Sequence, residues 1–463
     1  MNKNVKLLLI MLLTAVISSG LTLTLAKPET IVQEKEVQQN PDFAKLVDTY
    51  EKLEQKYYQR TDKVKMIDGA INGMVESLGD PYSAYMNAED SKSFNETISS
   101  SFEGIGAELQ EIDGQVMIVS PIKGSPAEKA GLKPKDKIVK VNGKSVKGKT
   151  VNDTVALIRG EKGTAVKIGI ERGGSHELEF SITRDEIPIE TVYTNVTDDN
   201  IGRIQITTFS ERTAADFSKA VKDLEEKEVK GIVIDLRQNP GGLMDQAIKM
   251  SEMFIPEGKN ILQVENKDGS REAYRSENKN PITIPAVVVV DEGTASAGEI
   301  MAAALNESAD IPLFGEKTFG KGTIQTAEKY KDGSSIKFTI AKWLTPGGTW
   351  VHKKGIEPGE KVSLPAYAKL PYLDPSKKLK QGDASKEVKT AQAFLNALGY
   401  STEENGVFDS KMKTAVMNYQ KDYKLKQTGT IEKDTTVSML TSLQELIKKH
   451  DTQMNKAIEA LKK

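Results

Sequence analysis

Behind Lys3 and Lys6, apolar residues run almost without interruption from Leu7 to Ala26. A cationic start before such a run predicts a signal segment or a membrane helix. Its length matches the ~20 residues a helix needs to cross a bilayer. Thr24-Leu25-Ala26 is a poor small-x-small cleavage site. A retained single-pass anchor is therefore expected over 1–26, with the rest of the chain outside the cytoplasmic membrane. Polar residues 27–40 read as a linker. Phe43, Leu46, Val47, Tyr50, Leu53 and Tyr57 then recur at helical spacing. A second helical pattern, Val64 to Leu78, stops at Gly79-Asp80-Pro81. Core packing is expected to cover most of both helices, leaving part of the face to pair with another copy.

The period changes between 102 and 186. Short apolar strands, GQVMIVS, DKIVKVNG, AVKIGIER and ELEFSIT, alternate with turns, and one helix, Val151 to Ile158, interrupts them. From 201 onward strands and helices alternate: IGRIQITTF, AADFSKAVKDLEEK, GIVIDLR, a helix near Met244 to Met253, IPAVVVVD, and a helix from about Ser296 to Leu305. Continuous apolar strands between amphipathic helices predict a buried, mostly parallel sheet. Pro365, Pro371 and Pro375 lead into a lysine-rich linker. The expected organisation is α/β and multidomain: a helical region at 41–100, a β-rich insertion at 101–186, and a β/α core at 187–370. A linker at 371–385, a small helical unit at 386–445 and a charged helix at 446–463 follow.

Composition narrows the chemistry. The chain has 463 residues, room for roughly three domains of ~150 residues. A net charge of −2 gives no sign of a nucleic-acid partner. There is no cysteine, which excludes disulfides, thiolate catalysis and cysteine metal sites. The three histidines, His176, His352 and His450, sit after a Gly-Gly turn, among lysines and in the charged tail. None stands where a catalytic base would.

The stretch GEKTFGKGTIQ, residues 315–325, carries G-x-x-x-x-G-K, but Gly322 stands where a P-loop needs Ser or Thr. No helix pattern follows to cradle phosphate. Lys321 needs another use. Ser296 follows the strand VVVV and a turn of small residues, and it opens a helix. A serine there exposes its hydroxyl. The Ala297 amide would share the same space, with the helix dipole behind it, as an oxyanion donor. Ser296 to Glu299 also fits an S-x-x-E capping box, so a purely structural serine stays open. A serine nucleophile needs a base. A lysine can serve if burial lowers its pKa from ~10.4. Gln325, four residues past Lys321, could orient the amine without adding the charge that holds it protonated. A solvated loop lysine is the alternative. In GIVIDLRQNPGGLMDQ, Gly241 and Gly242 could bring a second amide to the oxyanion. Asp235 and Arg237 are expected to brace the strand.

Together these features resemble the carboxy-terminal processing peptidases, or tail-specific proteases. The matching motifs, in order, are Leu78-Gly79-Asp80-Pro81-Tyr82-Ser83, Gly202-Arg203-Ile204 with Phe209, Asp235 to Gly242, Gly293 to Glu299, and Gly320-Lys321-Gly322. They span about 40 to 370. Gly359, after Ile356-Glu357-Pro358, departs from the aspartate common in that family. The resemblance implies a serine endopeptidase with Ser296 as nucleophile, Lys321 as general base and Gln325 as its orienter, needing no cofactor. It also implies dimerisation through the helices at 41–78. Residues 102–186 look like the family's PDZ domain, with Gly104-Ile105-Gly106-Ala107 as the loop binding a terminal carboxylate. Arg159, just after the groove helix, is a candidate sensor of bound peptide. Residues 386–445 resemble a three-helix peptidoglycan-binding domain through Val388, Gln392, Leu395, Gly406, Phe408, Tyr419, Gln420 and Gly429, among others. The expectation is an envelope protease acting on C-terminal tails of proteins. Its rival is a proteolytically silent scaffold, which the intact Ser296, Lys321 and Gln325 disfavour.

Overall fold

The computed structural model describes residues 41–112, 114–173 and 177–462. The expected anchor over 1–26, the linker over 27–40 and His176 lie outside the described residues.

The alternating pattern beyond residue 190 folds as anticipated. One sheet runs in the order Val192–Val196, Gly202–Ile206, Ile232–Asp235, Ala286–Val290, Leu313–Gly315, Glu360–Lys361. The first pairing is antiparallel and each later one parallel. Ile232, Val233, Ile234, Val288, Val289 and Val290 are fully buried, because helical layers cover both faces of the sheet. The helices Thr213–Glu225, Met244–Glu252 and Ala297–Ala309 close one face with Phe217, Met250 and Met301. The helix Thr452–Ala460 closes the other, setting Met454 and Ala457 against Val233, Val287, Val289 and Phe314. The tail is thus an amphipathic plug and not simply a charged helix. The preceding helix also runs on to Lys449, past the expected boundary at 445.

A second, antiparallel sheet contains Ala84–Met86, Ser335–Leu344, Asn260–Asn266 and Arg271–Arg275, with Thr323–Lys329 also on Ser335–Leu344. The hydrophobic pattern does not announce the hairpin at 260–275. Nor does it announce the helix Ala88–Ser99, whose sequence AEDSKSFNETIS is mostly polar. That helix is set by its cap, where Asn87 Oδ1 accepts the Glu89 and Asp90 N–H groups.

The insertion has its own sheet, Ala107–Ile112, Gln115–Pro121, Lys137–Val141, Ala165–Glu171, Leu178–Thr183. Ile118, Val141, Ile168 and Ile170 form its core with the helix Val151–Ile158. The pair Ser101–Gly104 and Asp185–Pro188 is the two-stranded stem where the chain enters and leaves. The C-terminal unit packs three helices, Lys386–Ala397, Ser410–Asp422 and Asp434–Lys449, around Phe394, Val416, Tyr419 and Met439.

One expectation fails. Core packing does not cover the helix Pro41–Lys56. Phe43, Leu46, Val47 and Leu53 on it, and Tyr57 just beyond, are all more than 40% exposed. Among the described residues, nothing covers this face patterned for burial.

Candidate active site

The loops at the carboxyl ends of the parallel strands Ile232–Asp235 and Ala286–Val290 meet, as ligand-binding loops do in open α/β sheets. Asp291 ties them. Its Oδ1 accepts the Gln238 N–H at 2.9 Å and its Oδ2 accepts Gln238 Nε2–H at 2.7 Å. The Ala295 N–H donates to the Asn239 carbonyl at 2.9 Å. The turn then delivers Ser296 at φ 52°, ψ −115°. A left-handed φ costs a non-glycine residue ~1–3 kcal/mol and persists only where its surroundings enforce it. The nucleophile turn of α/β hydrolases has the same character, a sharp strand-to-helix bend.

The capping box foreseen here does more than cap. Glu299 is fully buried. Its Oε2 accepts the Ser296 N–H at 3.0 Å and the Lys321 N–H at 2.8 Å. Its Oε1 accepts the Thr318 hydroxyl at 2.6 Å and the Gly320 N–H at 2.7 Å. One carboxylate holds the serine turn and the lysine loop together. The motif S-x-x-E signalled its first contact, and nothing in the sequence signalled the second.

Gly320-Lys321-Gly322 is not a phosphate loop. A strand follows it, Thr323–Lys329, and the Gly320 and Lys321 amides are spent on Glu299. Its glycines serve close packing, since a Cβ at Gly322 would lie 2.8 Å from both the His352 N and the Trp350 Nε1. Trp343 Nε1–H donates to the Lys321 carbonyl at 2.7 Å and fixes the loop from the other side. Lys321 Nζ rests over the Tyr82 ring, 4.9 Å from its centroid. Burial pushes the Lys321 amine below its ordinary pKa and Lys337 adds to the shift, while Asp80 and Glu299 oppose it.

Ser296, Lys321 and Gln325 line one cleft of about 400 Å³, together with Ala297, Gly242 and the Phe94, Asn95 and Ile98 side of the Ala88–Ser99 helix. Gln325 reaches it across a bulge between Ile324 and Gln325. Among the described residues no hydrogen bond joins Ser296 to Lys321, or Lys321 to Gln325. The Gln325 amide donates instead to Thr323 Oγ1 at 2.9 Å and Thr339 Oγ1 at 3.2 Å. Catalytic hydrogen bonds are often long or unmade before substrate binds.

The two glycines separate in role. Gly241 packs on the serine turn, where a Cβ would sit 2.8 Å from Ser296 Cβ. Its N–H is already given to Asn239 Oδ1 at 2.8 Å, so Gly241 cannot be the oxyanion donor the sequence allowed. Gly242 lines the cleft, and neither its N–H nor that of Ala297 has an acceptor among the described residues. Asp235 is buried against Arg203 and Arg237, at 2.6 Å and 2.8 Å, so both residues brace the strand as expected.

In the insertion, Ile105 is buried and Gly106 takes φ 76°. A Cβ at Gly106 would lie 2.5 Å from Ser125 Cβ, so only glycine fits. The Gly106 carbonyl accepts the Ile122 N–H at 2.9 Å and the Ser125 hydroxyl at 2.9 Å. The Ile105 and Gly106 amides have no acceptor among the described residues. Gly104 ends the stem strand, and Ala107 begins the edge strand Ala107–Ile112. Arg159 pairs with Glu96 at 2.6 Å and lies over Phe102. It is not simply solvated.

Four family descriptions match the chain. They are Peptidase family S41 over residues 200–362, the Activating protease CtpB N-terminal domain over 17–90, a PDZ domain over 117–172, and a peptidoglycan binding domain over 384–439. The carboxy-terminal processing protease CtpA of Bacillus subtilis (strain 168) is 55% identical over 464 residues, covering 100% of both chains. CtpB of the same organism is 41% identical over 450 residues, covering 95% of this chain and 94% of its own. A CtpA-like serine protease of Staphylococcus aureus (strain COL) is 41% identical, covering 90% of this chain and 84% of its own.

Proposed function

Because this chain belongs to the carboxy-terminal processing proteases of peptidase family S41, we propose that it hydrolyses peptide bonds through Ser296, Lys321 and Gln325. Neutral Lys321 Nζ takes the Ser296 proton as Oγ attacks the scissile carbonyl carbon. The oxygen, now negative, sits between the Ala297 and Gly242 N–H groups. Lys321 passes the proton to the leaving amine, and an acyl-enzyme remains. Water then attacks the ester, giving its proton to Lys321, and Ser296 leaves reprotonated. The cycle needs no cofactor. One observation carries this reading: a strained serine, a half-buried lysine and a glutamine share a single cleft. Digestion of an unfolded protein by wild type, Ser296→Ala and Lys321→Ala tests it, and equal turnover by all three would overturn it.

The substrate's C-terminal tail enters through the PDZ domain. Its carboxylate meets the free Ile105 and Gly106 amides, and its backbone extends the Ala107–Ile112 edge. Arg159 then reports occupancy. It grips Glu96 on the helix whose Phe94, Asn95 and Ile98 line the cleft. Arg159→Ala is expected to abolish the rate gain that a substrate draws from a free tail, leaving cleavage of tail-blocked substrate unchanged. Undiminished tail stimulation would remove Arg159 from the scheme.

The protease works in the cell envelope, held by residues 1–26 as a single-pass anchor, paired through the exposed helix Pro41–Lys56, and able to touch peptidoglycan through residues 384–439. The buried Gln392 and Gln420 hold turns through the Gly406 and Gly429 amides, so these matching residues maintain the fold. Cell fractionation, retention on purified cell wall, and sedimentation of Leu46→Lys against wild type test the three parts. A soluble monomer indifferent to wall would overturn them.

A further inference from the structure

The turn Asp80-Pro81-Tyr82-Ser83 reads in sequence as the end of a helix, yet its polar atoms point at the active site. Asp80 Oδ2 accepts the Thr339 hydroxyl at 2.6 Å and the Ser83 hydroxyl at 2.7 Å. Asp80 Oδ1 accepts the Tyr82 N–H at 3.1 Å. Thr339 stands directly across the sheet from Gln325, and its Oγ1 accepts Gln325 Nε2–H at 3.2 Å. The Thr339 N–H donates to Ser83 Oγ at 3.2 Å, so the same turn also fixes the Thr339 backbone.

A hydroxyl has one proton to give, and an ionised carboxylate can only accept. The Thr339 hydroxyl therefore donates to Asp80, and only its lone pairs are left to face Gln325. The amide must present its NH₂ end there. Thr323 Oγ1 takes its second donor. The carbonyl end, Oε1, is left over, and it alone can accept a hydrogen bond from an amine. Asp80 stays ionised because the Thr339, Ser83 and Tyr82 donors outweigh the burial that would raise its pKa.

We propose that Asp80 and Thr339 are positioning residues forming a polarity relay, which sets the Gln325 amide so that its carbonyl oxygen is offered to Lys321. This rests on the reading of Gln325 as the orienter of Lys321. The carbonyl holds the amine with its lone pair free for the Ser296 proton. The reversed amide would place N–H donors against the amine and compete for that lone pair.

The relay is tested by inverting it. In Asp80→Asn, the new amide can donate to Thr339, whose proton then turns toward residue 325. The Gln325 amide flips. kcat should fall by roughly 10- to 100-fold, the scale of a misplaced catalytic group, with KM little changed. Gln325→Glu alone sets acceptor against acceptor and should also lose kcat. The double variant Asp80→Asn/Gln325→Glu restores donor to acceptor at each step and keeps the wild-type net charge. The carboxylate of Gln325→Glu raises the Lys321 pKa in both variants that carry it, so the double is compared with Gln325→Glu, and its kcat should exceed that single's across the pH profile. If Asp80 were only structural, the double would be no better than Gln325→Glu, and that result overturns the relay. Thr339→Val should lose kcat and Thr339→Ser recover it, a pair that remains informative if Asp80→Asn melts early by circular dichroism. Gln325→Ala separates the two layers. Full activity there sinks the orienter reading itself, whereas a slow Gln325→Ala beside active Asp80→Asn and Thr339→Val sinks only the relay.

Discussion

Lys321→Ala is expected to lower kcat by roughly 10²- to 10⁴-fold, the usual contribution of a positioned general base. Ser296→Ala should lose at least as much, and the double variant little more, because groups acting as one unit are not additive. The pH profile distinguishes a base from a merely structural lysine. The amine must be neutral to accept the serine proton, so wild-type kcat/KM should rise with pH as Lys321 deprotonates. The rising limb should lie below that of a free lysine, ~10.4. Burial is the first cause of the downward shift and Lys337 the second, against the pull of Asp80 and Glu299. Lys337→Met removes one downward influence and should move the limb to higher pH. Asp80→Asn removes an upward one and should move it to lower pH. A flat profile in all three proteins would exclude Lys321 as the base.

Arg237→Ala is expected to cost the fold about 3–5 kcal/mol, the range for stranding a buried charge. Arg237 is bonded on two sides. Its guanidinium donates to Asp235 at 2.9 Å and 2.8 Å, and to Asp451 at 2.9 Å and 2.8 Å. Asp235 is 1% exposed. Burial alone would raise its pKa, but Arg237 and then Arg203 overcome this and hold the carboxyl below the usual range. A carboxyl with a depressed folded pKa adds stability above its unfolded pKa, ~3.9, and that stability is lost as pH falls through the folded value. Without Arg237 the Asp235 pKa rises and this acid-labile contribution disappears, so Arg237→Ala should melt at lower temperature, by most at pH 7 and by less at pH 4. Arg237→Lys should recover little, since an ammonium cannot make the paired bonds. Thermal melts at pH 7 and pH 4 measure both effects. An unchanged melting temperature in Arg237→Ala would refute the bracing role.

Local signals in the sequence carried far. The runs at 232–235 and 286–290 had to be buried parallel strands. The small residues around Ser296 had to make room, and the misfit at Gly322 excluded a phosphate loop. What stayed hidden was long-range. Nothing near Glu299 shows that it would also bind the Lys321 amide, and nothing near Asp80 shows Thr339 arriving from 259 residues away. Gly241 and Gly242 look equivalent as letters, and only the Asn239 side chain tells them apart. The Ala88–Ser99 helix has too few apolar residues to show a period, yet it walls the cleft. Helical spacing at 43–57 predicted an apolar face correctly but could not say that the other described residues leave it uncovered.

The helix Thr452–Ala460 has a practical consequence for anyone dissecting this protein. It seals the sheet's rear by seating Met454 and Ala457 on Val233, Val287, Val289 and Phe314, where each buried Met, Val or Phe is worth ~1.5–3 kcal/mol. An excised fragment covering only 200–362 would wet that surface and lose Asp451 from Arg237. Such a fragment should give poor soluble yield and precipitate on warming, however complete its catalytic groups. Supplying the 446–462 segment as a separate peptide should raise that yield.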